Sequence, residues 1–321
     1  ISTHEAHFRA LYQPPENEPA LLAQSNYVEK TLPSRLALKP SRRQLRPRTG
    51  NPSRLSSPSF VDVAIVGMSG RFPGADTIED LWELLSAEET AVTKAAESRW
   101  GPANVYYDES GNDSSKSHLN SVGLLSGVDL FDPLFFNISP HEAEYMPPEE
   151  RLFLMEAYNA LEDAGLNPAA LSKKKVGVFV GMEESEYALS ASTAGDDSQD
   201  SAGMGVTSSG AAMISSRLSY FLNFRGPTVA TNTACSSSLV ALHQACVSLR
   251  TGESNLALAG GAALLMSPQS YVLMSQSGML STDGQCHTFS KEANGIVCGE
   301  SVVVVVLKRL RHAEAAGDPI Y

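Results

Sequence analysis

Short apolar runs alternate with amphipathic stretches along most of the chain from residue 61 onwards. An apolar run that ends at glycine or a polar residue is typical of a buried strand. Apolar positions three and four apart, preceded by Ser or Thr, are typical of a helix. The pattern predicts strands at residues 61–67, 176–181, 227–231, 256–265 and 302–307. It also predicts helices that begin near Thr77 and Ser139 or cover residues 149–164, 211–222 and 236–250.

Strands that alternate with helices predict an α/β fold with a largely parallel sheet. The first sixty residues differ, because prolines recur there and only residues 20–28 show a weak helical pattern. We interpret residues 1–60 as a Pro/Ser/Arg-rich interdomain linker. Residues 61–321 form the folded part, with a Ser/Gly/Asp-rich loop at residues 190–209.

Charge is unevenly distributed between these two parts. The formal net charge is −12, yet residues 1–60 carry nine Lys or Arg against four Asp or Glu, which leaves fifteen against thirty-two for the rest. An acidic domain of this kind argues against nucleic-acid binding. The basic stretch at residues 42–48 either contacts an anionic partner or belongs to a solvated linker, and its composition favours the linker.

Targeting signals and cysteine usage indicate in which cellular compartment the protein is expected. The chain has no run of eighteen apolar residues, which predicts no membrane span, and its first residues lack the pattern of a signal peptide. The cysteines lack both C-x-x-C spacing and the neighbouring histidines of a zinc site. Their positions are Cys235, Cys246, Cys286 and Cys298. We therefore expect free thiols, no metal site and a cytoplasmic location.

Cys235 has the most distinctive position of the four, because it lies where the strand at 227–231 meets the helix at 236–250. Backbone N–H groups and the helix dipole favour negative charge at a helix N-terminus, so a thiol there ionises more easily and becomes a nucleophile. The helix is apolar on nearly every side, which predicts that Cys235 lies at the bottom of a pocket and that Cys246 is core. The segment alone fits a buried structural cysteine equally well.

Three other patterns have both a functional and a structural interpretation. Gly67, Gly70 and Gly74 follow a strand, but their spacing differs from the G-x-G-x-x-G of a dinucleotide site and favours tight-turn glycines. Residues 173–175 are three lysines that either contact an acidic carrier protein or form a solvated turn. Residues 183–186 hold three glutamates that either bind a metal, form an acid–base pair or belong to an exposed loop. The structural interpretation is favoured in each case.

The residues around Cys235 resemble the active-site signature of ketosynthase domains in modular polyketide synthases and related fatty acid synthases, which reads Asp-Thr-Ala-Cys-Ser-Ser-Ser-Leu. The corresponding segment here is residues 232–239. The resemblance covers residues 61–321, and its further matching stretches are residues 65–74, 131–140, 160–165 and 283–289. Residues 221–227 and 317–321 are most similar to modules served by a separate acyltransferase.

The resemblance implies a thiolase-like fold, in which two similar α/β halves stack as five α-β-α-β-α layers. This chain would supply the N-terminal half. It implies that Cys235 accepts an acyl chain from the phosphopantetheine arm of an acyl carrier protein. A malonyl extender on a second carrier protein then loses CO2, and its carbanion attacks the thioester while backbone N–H groups, including that of Cys235, stabilise the oxyanion. The chain itself then binds no cofactor directly.

The resemblance also implies a homodimer through residues 228–232 and contacts with neighbouring synthase domains. The family's two histidines lie in His-Gly-Thr-Gly-Thr and Lys-Ser-Asn-x-Gly-His, and none of the seven histidines here belongs to either motif. We therefore expect a truncated ketosynthase that accepts an acyl chain but does not condense it alone. Two alternatives stay open: a non-elongating ketosynthase that only transfers acyl chains, and a non-catalytic scaffold or docking fragment.

Two positions depart from the family pattern. Asn232 replaces an Asp, which removes a charge but leaves the nucleophile in place. Pro147 replaces the Asp of a Met-Asp-Pro-Gln/Glu motif, which reads Met-Pro-Pro-Glu at residues 146–149. Because that Asp would cap a helix, its loss predicts a local cost in stability of about 1 kcal/mol.

Overall fold

The computed structural model describes residues 61–187 and 210–321. The predicted linker at 1–60, with its weak helix at 20–28, and the predicted loop at 190–209 lie outside the described residues. Strands β1 to β7 are Val63–Arg71, Thr93–Lys94, Ser121–Val122, Val176–Gly181, Thr228–Thr231, Leu256–Ala263 and Ser301–Arg309. Helices α1 to α8 are Ile78–Ser86, Glu97–Trp100, Pro140–Tyr145, Pro148–Asp163, Ala211–Phe221, Ser237–Thr251, Pro268–Gln276 and Leu310–Ala316. Two short 3₁₀ helices are Ala103–Val105 and Pro168–Leu171.

The predicted starts of α1 and α3 are confirmed by their capping hydrogen bonds. The Thr77 side chain accepts a bond from the Asp80 N–H at 3.1 Å, and the Ser139 side chain accepts one from the Glu142 N–H at 3.1 Å. Each bond satisfies an amide that the first helical turn leaves without an intrahelical partner. Pro147 occupies the N-cap position of α4 and makes no such side-chain bond, as its departure from the family motif predicts.

Five strands form one sheet in the order β1-β7-β6-β4-β5. β4 pairs in parallel with β5 and β6, whereas β7 pairs antiparallel with β6 and β1. Four of the five strands therefore share one direction, as the predicted largely parallel sheet requires, and β7 runs antiparallel to them. The connection from β6 through α7 stays at the end of the sheet where β6 ends. β7 therefore begins at that end and runs back beside β6. β2 and β3 form a separate antiparallel pair.

Helices cover both faces of the five-stranded sheet. On one face, α4 and α5 pack over the largest cluster of buried side chains, to which β4 contributes Val178 and β7 contributes Val304. On the other face, α6 packs over a smaller cluster that includes Phe179 and Leu307 from the same two strands. The described residues thus form three layers, helix, sheet and helix. None of their helices is long and apolar enough to cross a bilayer.

Candidate active site

Cys235 lies in the turn between β5 and α6, at residues 232–236. Ala234 has a φ of 54°, in the left-handed region that costs a non-glycine residue about 1–2 kcal/mol. The turn places Cys235 on the surface at the N-terminal end of α6, whose first residue is Ser237. The prediction that Cys235 lies at a junction of strand and helix is therefore confirmed.

Side chains on both sides of Cys235 hold this strained turn. The Ser237 hydroxyl donates to the Ala234 carbonyl at 2.6 Å and accepts from the Thr233 N–H at 2.9 Å. The Ser236 hydroxyl donates to the Thr233 carbonyl at 2.9 Å. The Asn232 side-chain oxygen accepts from the Ala234 N–H at 3.0 Å. Asn232 thus supplies the acceptor that an Asp would supply, so the family departure leaves this hydrogen bond in place.

The first turn of α6 lies directly on the ends of β4 and β6. Gly181 ends β4, and a Cβ at this position would lie 2.3 Å from the carbonyl carbon of Ser237. At Gly261 in β6, a Cβ would lie 3.0 Å from the Cβ of Ser238. Only a glycine at position 181 therefore permits the helix start to pack where it does. This role of Gly181 was not predicted from the sequence, although a glycine at the end of a predicted buried strand was the available signal.

The predicted pocket around Cys235 is wrong for the residues that the structure describes. α6 buries the side chains that face the sheet, which are Ser237, Ala241, Ala245, Ser248 and Leu249. On its other side, Leu239 is 68% exposed and Val247 is 40% exposed. The prediction of a pocket failed because the sheet covers one side of α6, and no layer within the described ranges covers the opposite side. Cys246 is half-buried against the sheet cluster, and this burial raises its pKa.

A buried carboxylate lies at the same end of the sheet as Cys235, where β4 and β6 end and β7 begins. Glu300, directly before β7, accepts bonds from the N–H groups of Leu125 and Leu265, each at 2.7 Å. The Arg99 guanidinium donates to the same carboxylate at 2.6 Å. Burial raises the pKa of Glu300 despite these bonds. Glu300 therefore connects three separate chain segments near the end of the sheet at which Cys235 lies.

The exposed-loop interpretation of residues 183–186 fits Glu183 and Glu184, which are exposed, whereas Glu186 is half-buried. Glu186 accepts hydrogen bonds from Ser267, at 2.8 Å, and from Ser270, which ties the segment after β4 to the start of α7. Within residues 61–187 and 210–321, no group of three His, Cys, Asp or Glu side chains could hold a metal ion.

The dinucleotide interpretation of the early glycines is wrong. β1 continues through Gly67 and Gly70 to Arg71 in register with β7, so no helix begins after Gly67. A Cβ at Gly67 would lie 2.4 Å from the Ala160 carbonyl oxygen in α4, and Gly74 has a φ of 69°. These glycines serve a close helix–strand contact and a tight turn.

The remaining candidate side chains, three lysines and the described histidines, either lie away from Cys235 or are not hydrogen bonded to it. The lysines at 173–175 are exposed in the turn before β4, at the opposite end of that strand from Cys235. None of the five histidines in the described ranges is hydrogen bonded to Cys235. His287, for example, lies 2.8 Å from the Asp283 carboxylate. The described part of the site therefore consists of the thiol and its supporting turn.

Comparisons with known proteins agree with the fold. The model of the family "Beta-ketoacyl synthase, N-terminal domain" matches residues 61–313. Polyketide synthase PksL of Bacillus subtilis (strain 168) is 45% identical over 259 residues, which cover 81% of this chain and 6% of that protein. Polyketide synthase ThaG of Burkholderia thailandensis is 40% identical over 259 residues, which cover 81% of this chain and 4% of that protein.

Solved structures that share this fold include ketosynthases. The oxazolomycin ketosynthase domain OzmH KS7 of Streptomyces albus JA3453 has a TM-score of 0.74 and 40% identity, covering 80% of this chain and 45% of that chain. The ketosynthase from module 6 of the bacillaene synthase of Bacillus subtilis 168 has a TM-score of 0.70 and 43% identity, covering 81% of this chain and 42% of that chain. The chain thus spans less than half the length of these structures, and its three layers are the N-terminal half of the thiolase-like fold. It belongs to the beta-ketoacyl synthase family, as the N-terminal part of a polyketide synthase ketosynthase domain.

Proposed function

We propose that Cys235 accepts an acyl chain from a thioester on the phosphopantetheine arm of an acyl carrier protein. The thiolate attacks the thioester carbonyl, a C–S bond to Cys235 forms, and the bond to the pantetheine sulfur breaks. That sulfur leaves as a thiolate and takes up a proton. The observation that carries the proposal is the exposed position of Cys235 at the N-terminal end of α6, on a strained turn held by Ser237.

The turn also supports the negative charge that develops during this transfer. The first turn of a helix leaves backbone N–H groups without intrahelical partners, and these groups favour an anion. We propose that the backbone N–H of Cys235 donates to the carbonyl oxygen as it becomes an oxyanion. Gly181 has an indirect part in this step, because it permits the helix start to lie against β4.

We further propose that the acylated Cys235 is the electrophile of chain elongation in the parent synthase. A malonyl thioester on a second carrier protein loses CO2, and its carbanion forms a carbon–carbon bond with the acyl carbonyl as the Cys235 sulfur leaves. None of the described histidines is hydrogen bonded to Cys235, which supports a role for the two histidines of the family motifs in this half of the reaction. The similarity at residues 221–227 and 317–321 supports a module served by a separate acyltransferase.

Acyl loading tests the first step directly. The chain, extended by the natural second half of its own ketosynthase domain, is incubated with an acyl-phosphopantetheinyl carrier protein and analysed by intact mass. We expect one acyl adduct on the wild type and none on Cys235→Ala. Cys286 is the other exposed thiol among the described residues, so Cys286→Ser is the matched control and should load normally.

The same assay separates the alternatives. Release of CO2 from a malonyl carrier protein, together with a lengthened product, supports elongation. Loading without condensation supports a non-elongating ketosynthase that only transfers acyl chains. An adduct that persists in Cys235→Ala, or a folded wild-type domain that never loads, overturns the assignment of Cys235 and leaves the scaffold alternative.

We also propose that the domain dimerises through β5. This strand pairs with β4 on one side, and no other described strand pairs with its outer edge, which leaves a backbone edge for a second copy. Thr228→Lys combined with Ala230→Lys places like charges against the symmetry mate and is expected to convert the dimer to a monomer in light scattering. Thr93→Lys, in the separate pair of strands, is the control. A mass unchanged by the double variant contradicts the proposal.

A further inference from the structure

Helix α1 carries an apolar ridge that the described residues leave uncovered. Trp82 is 46% exposed and Leu85 is 59% exposed, and no residue of the helix is buried. Trp82 and Leu85 are three positions apart, so their side chains are neighbours on one face, next to Ile78. An amphipathic helix normally turns such a face towards a core. The apolar surface of α1 is therefore wider than the part that packs on its own domain.

A dense negative charge surrounds this ridge. Between residues 72 and 93 the sequence contains six acidic residues and no Lys, Arg or His. They are Asp76, Glu79, Asp80, Glu83, Glu88 and Glu89. Of these six acids, only Asp76 forms an ion pair with another described residue, at 3.4 Å from Arg71. A partner that covers Trp82 and Leu85 must therefore carry positive charge beside an apolar side chain.

The chain contains one stretch with this composition. Residues 42–48 include four arginines and no acid, with Leu45 between the two pairs. Arginine fits this site for two reasons. Its guanidinium pairs with carboxylates, and it also stacks on a Trp ring. No comparable basic stretch occurs in residues 61–321, where acids outnumber basic residues by thirty-two to fifteen.

The connection between the two elements is long enough. Residues 49–62 separate the basic stretch from β1, and fourteen residues span up to about 46 Å when extended. The nine residues of β1, which lead from this attachment point towards α1, span about 30 Å, and α1 adds about 14 Å. A tether of this length holds the basic stretch at a high effective concentration around α1. We propose that residues 42–48 dock on the Trp82–Leu85 ridge of α1 and so attach the linker to the ketosynthase surface.

Tryptophan fluorescence of the full chain tests this contact. The chain has two tryptophans, and Trp100 is only 6% exposed, so collisional quenching by acrylamide reports chiefly on Trp82. Reversal of the four arginines, R42E/R43E/R46E/R48E, is expected to shift the emission of Trp82 to longer wavelength and to increase its quenching. In the wild type, about 1 M NaCl, where the Debye length is about 3 Å, should produce the same change.

Controls separate docking from a general effect of charge. K173E/K174E/K175E/R225E makes the same change in net charge at exposed residues elsewhere and should leave Trp82 unaltered. Trp82→Phe identifies the Trp82 signal. Equal quenching of the wild type and the arginine variant overturns the proposal. So does protection of Trp82 that depends on protein concentration, because a second copy would then be the occupant.

Discussion

Helices α4 and α6 lie on opposite faces of one sheet, and their burial is the reverse of what their residues suggest. α4 is rich in charged residues, yet ten of its sixteen residues are buried, including three glutamates. α6, which the sequence pattern predicts to be apolar on nearly every side, has only five of its fifteen residues buried. Burial in this molecule therefore depends on which neighbours a helix has and much less on its own composition.

The acids of α4 are buried because each has a partner. Glu150 accepts from Arg217 at 2.7 Å, Glu149 accepts from Ser185 at 2.9 Å, and Glu156 accepts from Ser69. Helix α6 has the sheet on one side and exposes Leu239 on the other. The α4 layer is thus covered within the described residues, whereas these residues place no layer on the outer face of α6.

The largest effect is expected from removing a partner on the α4 side. Arg217→Ala leaves Glu150, whose side chain is 3% exposed, without its counter-charge. Breaking a buried pair in this way costs about 3–5 kcal/mol, which urea unfolding of the chain measures. Lys116→Ala, which breaks the surface pair with Asp113, should cost less than about 1 kcal/mol.

The double variant Arg217→Met with Glu150→Met distinguishes a lost counter-charge from lost packing. Replacing both members of a buried pair by apolar residues of similar volume is often neutral. We therefore expect the double variant to be more stable than Arg217→Ala. A double variant as unstable as the single one contradicts the view that pairing is what permits the acids of α4 to be buried.

The next effect concerns the contact between α6 and the sheet. Gly181→Ala places a Cβ where the carbonyl carbon of Ser237 would be 2.3 Å away, so the helix start must move. We expect a cost of about 1–3 kcal/mol for overpacking. Acyl loading of Cys235 should fall about 100-fold, because a displacement near 1 Å has that effect on positioned reactants.

Gly299→Ala is the matched control for this variant. The nearest described atom to a Cβ at position 299 is the Gly123 carbonyl oxygen at 3.8 Å, an ordinary contact distance. This variant should therefore load at the wild-type rate. Normal loading by Gly181→Ala would show that the turn around Cys235 does not depend on the close approach of α6 to β4.

The α4 side also has a smaller, pH-dependent effect. Burial raises the pKa of Glu149, and the nearby Glu300 carboxylate raises it further. Between the ordinary and the raised pKa, the folded chain binds more protons than the unfolded chain, so stability falls as pH rises through that window. Glu149→Gln removes this contribution and should reduce the slope of unfolding free energy against pH. Glu144→Gln, at an exposed position, should leave the slope unchanged.

Sequence patterns predicted the elements of both regions but not the contacts between them. The caps at Thr77 and Ser139, the order of strands along the chain and the location of Cys235 follow from local composition, so the sequence contains them directly. The direction of β7 depends on the end of the sheet at which the connection from β6 lies. The role of Gly181 depends on a helix distant in sequence. Exposure of the outer face of α6 depends on a layer absent from the described residues.

The smallest effect in this chain is expected at the outer face of α6. Leu239→Ser and Val247→Ser replace exposed apolar side chains, so the unfolding free energy should change by less than about 0.5 kcal/mol. Aggregation should decrease, because an apolar patch becomes smaller. In a complete ketosynthase domain the same variants should be strongly destabilising, because these side chains then lie between two layers. Equal small effects in both proteins would mean that the second half does not pack on α6.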